Sequence, residues 1–463
     1  MNRILEKAIS LQQQGKSEEA LRVFDAVIGK TIDDSYSLYC AGTGFLVDGY
    51  NGVAITLLSQ SIQSAKKEDT WLAAAWNNLA SALKKEGHHE YAIKAFKSSI
   101  EVTNSAETIG NLSGMYINQG TPDEAIALAK TALEIDPYQP QAANHYALAL
   151  LEKGEYEEGF KWYNARLRLP EFHQRHYPGP MWDGSRVGTL VIHGEQGVGD
   201  EIMFSSLIRE AQSRVDRVVI ECTPKLVKTF SRSFGIPCYP NDAELKAREK
   251  GDAWIAMGSL PALFGIKSPL NHSGYMTPDP ERVKYWKDKY PFPRIGISWR
   301  GGTKLTHWQY RNFEINEWIP LANTKKMISL QYGDWSYEIK RLGIESPQFS
   351  DFDDHMALVA ACDLVISVCN TTVHMAGSMN IPCWCLVPSK PAWRYGLTGE
   401  RMFWYPSVKF YRQSGEWAEV INRLRSDLAD FQCLPRAERK DAPGEAVLRD
   451  NRGNVRLAYS KAG

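Results

Sequence analysis

A glycine recurs five times through the first third of the chain, each time at the same place in a helical-hairpin pattern. These glycines are Gly15, Gly49, Gly87, Gly120 and Gly154. A small residue follows each of them five positions later: Ala20, Ala54, Ala92, Ala125 and Gly159. Another small residue precedes each by seven positions: Ala8, Gly42, Ala80, Ser113 and Ala147. Small residues let paired helices approach closely, so the pattern predicts an array of helical hairpins.

Successive glycines are about 33 to 38 residues apart, which is the period of a tetratricopeptide repeat. Residues 4–166 resemble such repeats, and the longest step predicts an insertion near Lys66 to Thr70. We therefore predict an α-solenoid over residues 1–170. The groove of such a solenoid is the usual place for a peptide or a partner helix, so we expect the repeats to bind a protein. A structural role, in dimerisation or in supporting the rest of the chain, stays open.

Composition limits the remaining functions. At 463 residues the chain is longer than one domain of usual size. Its 54 basic and 54 acidic residues balance, so no overall field would attract nucleic acid or an anionic membrane. The eight cysteines lack the spacing of a disulfide framework, and no apolar run reaches membrane-spanning length. The first repeat helix begins almost at once, leaving no room for a signal peptide, so we expect a cytoplasmic protein.

From about Met181 the pattern changes to alternating strands and helices. The predicted strands are Thr189 to His193, Arg217 to Cys222, Ala253 to Met257, Arg294 to Trp299, Met327 to Gln331, Asp363 to Val368 and Pro382 to Val387. This order predicts two wound α/β halves, over residues 181–290 and 291–431, followed by a polar tail over 432–463. The predicted fold class is thus α + α/β. Ligands of such sheets bind beyond the carboxyl ends of the strands.

The turn after the first predicted strand, GEQGVGD, carries glycines at positions 194, 197 and 199. They allow a tight backbone, and the N-terminus of the next helix offers N–H groups to an anion. Asp200 lies where the turn becomes the helix. It is either the N-cap residue of that helix or a catalytic residue. The spacing matches neither the dinucleotide-binding fingerprint nor a P-loop.

The second half carries basic and polar loops after two of its strands. Arg300 to Lys304, with Arg311 beyond, form a glycine-rich basic loop that suits a diphosphate or is simply a solvated charged loop. Asn370, Thr371 and Thr372 begin a helix, where hydroxyl and N–H groups favour an anion. His374, one turn inside, is a candidate for the same site or a packed core residue.

Four sequence units resemble one group of enzymes. They are GEQGVGDEIMF, GISWRGGTK, DLVISVCNTTVHMAGSMNIPCW, and WRYGL with WYPSVKFYRQ. Together they resemble bacterial glycosyltransferases with N-terminal tetratricopeptide repeats. The transferase part is similar to glycosyltransferase family 9, the ADP-heptose:lipopolysaccharide heptosyltransferases, and the layout is similar to that of the O-GlcNAc transferases of family 41. The resemblance covers nearly the whole chain up to about Phe431 and implies a GT-B type pair of Rossmann-like domains.

The resemblance also implies roles for individual residues. Asp200 matches the proposed catalytic base of the heptosyltransferases. The residues expected to bind a nucleotide sugar are Gly197, Gly199, Arg300, Lys304, Arg311, Gln331, Asn370, Thr371, Thr372 and His374. Enzymes of this kind need neither a metal nor another cofactor, so the acidic stretch DFDDH (351–355) is not expected to bind a metal. Asp354 is expected to cap a helix instead.

We therefore predict a metal-independent, inverting glycosyltransferase that moves a sugar from a nucleotide sugar to an acceptor chosen by the repeats, with a protein favoured. A polysaccharide or lipopolysaccharide acceptor is one alternative, and a non-catalytic repeat scaffold is the other. Cys369 is the reason to retain the scaffold alternative, because heptosyltransferases carry an aspartate at that position. The absence of this aspartate also puts a heptose donor in doubt. The repeat array could also form a homo-oligomer.

Overall fold

The computed structural model describes residues 7, 10, 11, 14, 16–25, 34–170, 172, 177, 179–241, 251–270, 272–302, 308–431, 447–449 and 455–457. These residues cluster into two compact units. One is drawn from residues 1–150 and 162–172, and the other from residues 151–161 and 173–463. The second unit contains the parallel sheets, and each unit is described by itself below.

The repeats are helices in succession, as the glycine pattern predicts. Their bounds are α1 Ser17–Asp25, α2 Ser35–Val47, α3 Asn51–Ser64, α4 Leu72–Lys85, α5 His89–Val102, α6 Ala106–Gln119, α7 Pro122–Ile135, α8 Pro140–Lys153 and α9 Tyr156–Tyr163. The recurring glycines lie between the two helices of a hairpin, with left-handed backbones at Gly49, Gly87, Gly120 and Gly154 (φ 85°, 85°, 76° and 85°). Only glycine adopts this conformation without strain, which explains the recurrence. Gly15 lies outside the described residues.

The small residues of the pattern lie where helices touch. A Cβ atom added to Gly42 would lie 2.8 Å from Cγ of Leu58, and Ala54, Ala92 and Ala125 are fully buried. Large side chains fill the space around them. The link at residues 65–71 is longer than those at 103–105 and 136–139, so the predicted insertion is present there.

The first sheet of the second unit has four parallel strands, β1 Thr189–His193, β2 Arg217–Cys222, β3 Cys238–Pro240 and β4 Ala253–Ala256, in the order β3-β2-β1-β4. Its helices are α10 Val198–Phe204, α11 Ile208–Arg214, α12 Val227–Phe234 and α13 Leu260–Leu263. The predicted strands match β1, β2 and β4. The short strand β3 was not predicted.

The second sheet has five parallel strands, β5 Ile295–Ser298, β6 Met327–Ser329, β7 Leu364–Val368, β8 Cys383–Val387 and β9 Val408–Arg412, in the order β6-β5-β7-β8-β9. The helices from here onward are α14 Pro280–Lys289, α15 Trp308–Arg311, α16 Ile315–Ala322, α17 Ser336–Leu342, α18 Phe352–Ala361, α19 Thr371–Ser378 and α20 Trp417–Asp430. Strand β9 was not predicted, so Pro382 to Val387 is not the last strand of the sheet.

Helix α9 is divided between the two units: residues up to Lys161 belong to the second, whereas Trp162 and Tyr163 belong to the first. Phe160 lies 6.1 Å, ring centre to ring centre, from Trp393 and 6.0 Å from Trp404. The domain boundary near residue 170 therefore stays a prediction. In the polar tail, Val447–Arg449 and Val455–Leu457 (β10 and β11) pair as antiparallel strands.

Candidate functional site

The strand order of the second sheet points to one crevice. The chain leaves β5 toward β6 on one side, whereas β7 pairs with β5 on the other. In a doubly wound sheet, ligands bind beyond the carboxyl ends of the strands at this change of direction. The loops that follow β5 and β7, beginning at Trp299 and Cys369, are the two that the sequence analysis singled out.

A cavity of about 640 Å³ lies at this crevice. Its lining residues are Val198, Lys225, Ser298, Arg300, Gly301, Gly302, Trp308, Asn312, Gln331, Tyr332, Trp335, Glu338, Phe352, His355, Asn370, Thr371, Thr372 and Met375. Five of the predicted contacts are among them: Arg300, Gln331, Asn370, Thr371 and Thr372. Gly197, Gly199, Arg311 and His374 are not, and Lys304 lies outside the described residues.

Amide side chains hold the loop after β5 in shape. Oε1 of Gln331 accepts hydrogen bonds from the backbone N–H groups of Trp299 (3.1 Å) and Arg300 (2.9 Å). Nδ2 of Asn370 donates to Oγ of Ser298 (2.8 Å) and to the Arg300 carbonyl (2.9 Å). Gln331 and Asn370 therefore shape the site by fixing the backbone, in addition to lining it.

Asn370 also caps helix α19. Its Oδ1 accepts a hydrogen bond from the Thr372 N–H at 2.9 Å, as an N-cap residue does. A Cβ atom on Gly301 would lie 2.7 Å from Cβ of Asn370, so glycine is needed for the loop to reach the start of the helix. The hydroxyls of Thr371 and Thr372 thus stand at a helix start that faces the cavity, which is the arrangement that favours an anion.

The Arg300 guanidinium is already neutralised. It donates to both carboxylate oxygens of Glu338, at 3.1 Å from Nε and 2.5 Å from Nη2, and to the Phe313 carbonyl at 2.9 Å. Arg311 donates from Nη1 to the Cys369 carbonyl at 2.8 Å. Arg300 therefore lines the cavity as half of an ion pair rather than as a net positive charge.

A lysine that sequence reasoning missed brings a positive charge to the cavity. Lys225 follows β2 in the first half, and its Nζ lies 4.8 Å from the centre of the Tyr332 ring. Tyr332 belongs to a group of aromatic side chains on the cavity wall that includes Trp308, Trp335, Phe352 and His355. No local signal marks Lys225 in the sequence, because its partner is distant along the chain.

His374 is packed rather than open to the cavity. Its Nδ1 lies 3.1 Å from the Tyr405 hydroxyl, and a Cβ atom on Gly199 would lie 2.9 Å from its ring. Burial, with the positive charges of Arg394 and Arg311, lowers the pKa of His374 to about 3. These surroundings indicate that His374 is a packed core residue rather than a ligand contact.

Asp200 is the third residue of helix α10 rather than its cap. Gly197 is the N-cap residue, and its N–H donates to Oδ2 of Asp200 at 3.3 Å. The carboxylate is also paired with the Arg394 guanidinium, which comes from the turn after β8. Asp200 is therefore held from both halves of the unit, two residues beyond Val198 on the cavity wall.

Carboxylates also hold the loops of the first half. Oε1 of Glu195 accepts a hydrogen bond from the Gly258 N–H at 2.8 Å. Glu201 accepts from both the N–H (2.9 Å) and the hydroxyl (2.6 Å) of Thr223. All these groups lie beyond the carboxyl ends of strands, so the corresponding edge of the first sheet is acidic.

The acidic stretch DFDDH joins elements of the second unit. Asp351, not Asp354, caps helix α18, so the expected cap was wrong by three residues. Asp353 accepts from Arg232 and from the Thr229 hydroxyl (2.6 Å), both on α12. Asp354 accepts from Arg282 and from Trp286 on α14. The aspartates make ion pairs and hydrogen bonds across the fold, and the described residues contain no cluster of three metal-ligating side chains.

Cys369 points into the second sheet. It is buried, its Sγ lies 3.8 Å from Sγ of Cys385, and it does not line the cavity. Cys369 is therefore a core residue.

Comparison with known proteins supports the repeats. Tetratricopeptide repeat profiles match residues 73–105 and 115–170, so the first part of the chain is a tetratricopeptide-repeat array. Such arrays serve protein interaction. Within the described part of the chain, no helix has both the length and the apolar character required to cross a membrane.

One relative extends over most of the chain. Protein FlbA of Caulobacter vibrioides is 28% identical over 439 residues, which is 83% of this chain and 73% of that protein. Among solved structures, MamA is 22% identical (TM-score 0.31) over 34% of this chain and 91% of its own. YrrB, described as a TPR protein with an unusual peptide-binding site, is 18% identical (TM-score 0.30) over 37% of this chain and 86% of its own.

Proposed function

We propose that the second unit is a glycosyltransferase of GT-B type, which binds a nucleotide sugar in the crevice of the second sheet. The observation that carries the proposal is the cavity at the change of strand direction. There, a capped helix start and a set of aromatic side chains face the same space. The resemblance to family 9 and to the O-GlcNAc transferases supports the same reading.

The diphosphate of the donor would lie at the start of α19. The hydroxyls of Thr371 and Thr372 are donors to phosphate oxygens, and the positive end of the helix dipole favours an anion there. Lys225 adds a positive charge, since the Arg300 charge is balanced by Glu338. These groups would also stabilise the diphosphate as it departs with the negative charge.

The nucleobase would lie on the aromatic wall. Tyr332, Trp335 and His355 line the cavity, and the ring of His355 is stacked on Phe349 at 4.3 Å between centres, with 5° between planes. Base and aromatic rings stack favourably without demanding a particular base. The site therefore suits a nucleoside diphosphate better than a free sugar.

Transfer would use Asp200 as the base. The acceptor hydroxyl oxygen attacks the anomeric carbon of the sugar, its proton passes to the Asp200 carboxylate, and a new C–O bond forms. The bond from the anomeric carbon to the diphosphate oxygen breaks, and its electron pair leaves with the diphosphate. Attack from the face opposite the leaving group inverts the anomeric configuration, and no step needs a metal.

The repeats would choose the acceptor. A groove of stacked helices suits a peptide, so a protein acceptor belongs to this proposal, as do a cytoplasmic location and a possible homo-oligomer. The balanced charge of the chain gives no reason to expect a nucleic-acid partner.

Isothermal calorimetry against UDP, ADP, GDP, CMP and their common sugar conjugates tests the proposal. We expect saturable binding of one nucleotide, weakened about tenfold by Lys225→Met and by Thr371→Val with Thr372→Val. Lys228→Met is the matched control, because Lys228 lies one turn away, pairs with Asp351 and does not line the cavity. If the wild-type protein binds no member of the panel, the transferase proposal fails and the repeat scaffold is favoured.

A further inference from the structure

Arg394 is a well-held cation that the proposed reaction has not used. It lies in the turn Trp393–Tyr395, pairs with Asp200, and donates from Nη2 to Oε1 of Gln196 at 3.2 Å. Its guanidinium also lies 4.9 Å from the centre of the Trp393 ring. The side chains of Arg394 and Asp200 are only 18% and 14% exposed, so the pair is largely shielded from water.

The ion pair lies beside the proposed diphosphate site. Helix α10, which carries Asp200, begins at Val198 on the cavity wall. The next residue, Gly199, lies against the ring of His374 in α19, whose first residues, Thr371 and Thr372, face the cavity. Asp200 and an anion at the start of α19 would therefore be close enough to act on each other.

This closeness poses an electrostatic problem for the proposed transferase. A carboxylate that serves as the base and a diphosphate would repel each other across a cleft that water screens only partly. At about 10 Å, an unpaired charge at an intermediate effective dielectric constant would change the affinity for the diphosphate about three- to tenfold. A cation fixed on the carboxylate removes most of that repulsion.

We propose that Arg394 is the positioning residue of Asp200: it holds the carboxylate in place and balances its charge, so that base and donor diphosphate occupy one cleft. The inference rests on the proposed function. It differs from a direct contact, because Arg394 acts on the nucleotide through Asp200 rather than by touching a phosphate.

A charge-compensation cycle separates these two roles. The affinity for the nucleoside diphosphate among UDP, ADP and GDP that binds the wild type best is measured by calorimetry for Arg394→Met, Asp200→Asn and the double variant. We expect Arg394→Met to weaken binding about three- to tenfold, because Asp200 is left unbalanced. Asp200→Asn should tighten binding about two- to fivefold, and the double variant should bind within about twofold of the wild type.

Two further measurements test whether the effect of Arg394→Met is electrostatic. Arg394→Lys keeps the charge and should bind the nucleotide almost as the wild type does. In 0.5 M NaCl the loss in Arg394→Met should shrink, because salt screens the repulsion. The double variant removes both charges and leaves no buried ion unpaired, so it remains informative if Arg394→Met unfolds.

Each other outcome has a distinct meaning. A double variant as weak as Arg394→Met would show direct contact with the nucleotide and overturn the inference, as would an unchanged affinity in Arg394→Met. Absence of any nucleotide binding by the wild type would overturn the proposed function itself, and the inference with it.

Discussion

The two α/β halves of the second unit hold their loops with different chemical groups. In the first half, Glu195 and Glu201 accept hydrogen bonds from loop N–H groups. In the second half, Gln331 and Asn370 do the same work with amides. Both solutions satisfy the backbone, but the amides of the second half do so without adding negative charge. On the proposed function, the second half would tolerate an anionic donor, and the first half would present the base to the acceptor hydroxyl.

Removal of the Asp200 charge should have the largest effect and tests the proposed difference between the two halves most directly. We expect Asp200→Asn to lower turnover about 10²- to 10⁴-fold, the usual contribution of a general base, while nucleotide affinity is retained or slightly increased. Turnover is measured as release of the nucleoside diphosphate from the donor that binds.

Asp216→Asn is the matched control, because Asp216 lies in the same half and pairs with Arg186 at the exposed surface. Normal turnover in Asp200→Asn would remove Asp200 from the chemistry. The acidic edge of the first half would then be a structural feature only.

Acid should destabilise the second half through its buried histidines. Burial and neighbouring arginines lower the pKa of His374 from 6.5 to about 3, and burial lowers that of His355 to about 4. In the unfolded chain each imidazole takes up a proton below about pH 6.5, whereas in the folded chain it stays neutral. Stability is therefore lost as the pH falls below 6.5, by about 2 kcal/mol per histidine between pH 7 and pH 5.

Urea unfolding at the two pH values measures this loss. In His374→Gln the fall in the free energy of unfolding between pH 7 and pH 5 should be smaller by about 2 kcal/mol than in the wild type. An equal fall in both proteins would mean that the His374 ring is protonated in the folded state.

A single carboxylate placed in the second half would sharpen the comparison. Gln331→Glu keeps the acceptor for the N–H groups of Trp299 and Arg300, but it adds a negative charge to the cavity wall. We expect nucleotide affinity to fall about tenfold, as judged by calorimetry, with the fold preserved.

Gln331→Met removes the same hydrogen bonds without adding charge, and it separates the two effects. If Gln331→Met weakens binding as much as Gln331→Glu does, the amide matters for the shape of the loop alone. The proposed electrostatic difference between the halves would then be wrong at this position.

What the sequence could predict follows the range of the forces involved. The repeats were predictable because the left-handed backbone of a glycine such as Gly87 is a local requirement of the turn between two helices. Asn370, Thr371 and Thr372 were predictable at the cavity because a helix start directly after a strand is also a local feature. Strand β3 was missed because it has three residues and includes Pro240.

The contacts that the sequence did not reveal join residues far apart along the chain. Arg394 pairs with a residue 194 positions away, and Lys225 meets a ring contributed by the other half. Arg300 was expected to bind a diphosphate. The sequence did not show that Glu338 neutralises its charge, because Glu338 lies 38 positions away on another helix. Charge patterns of this kind appear only when the chain is folded.

The amide-held loop after β5 has a consequence for the energetics of recognition. Because Gln331 and Asn370 already satisfy the main chain from Trp299 to Arg300, that stretch has its shape before any ligand arrives. A ligand entering there would not have to order the stretch, so little conformational entropy would be lost in it on binding. On the proposed function, this stretch would be preorganised for the donor, and its ordering would not reduce the affinity.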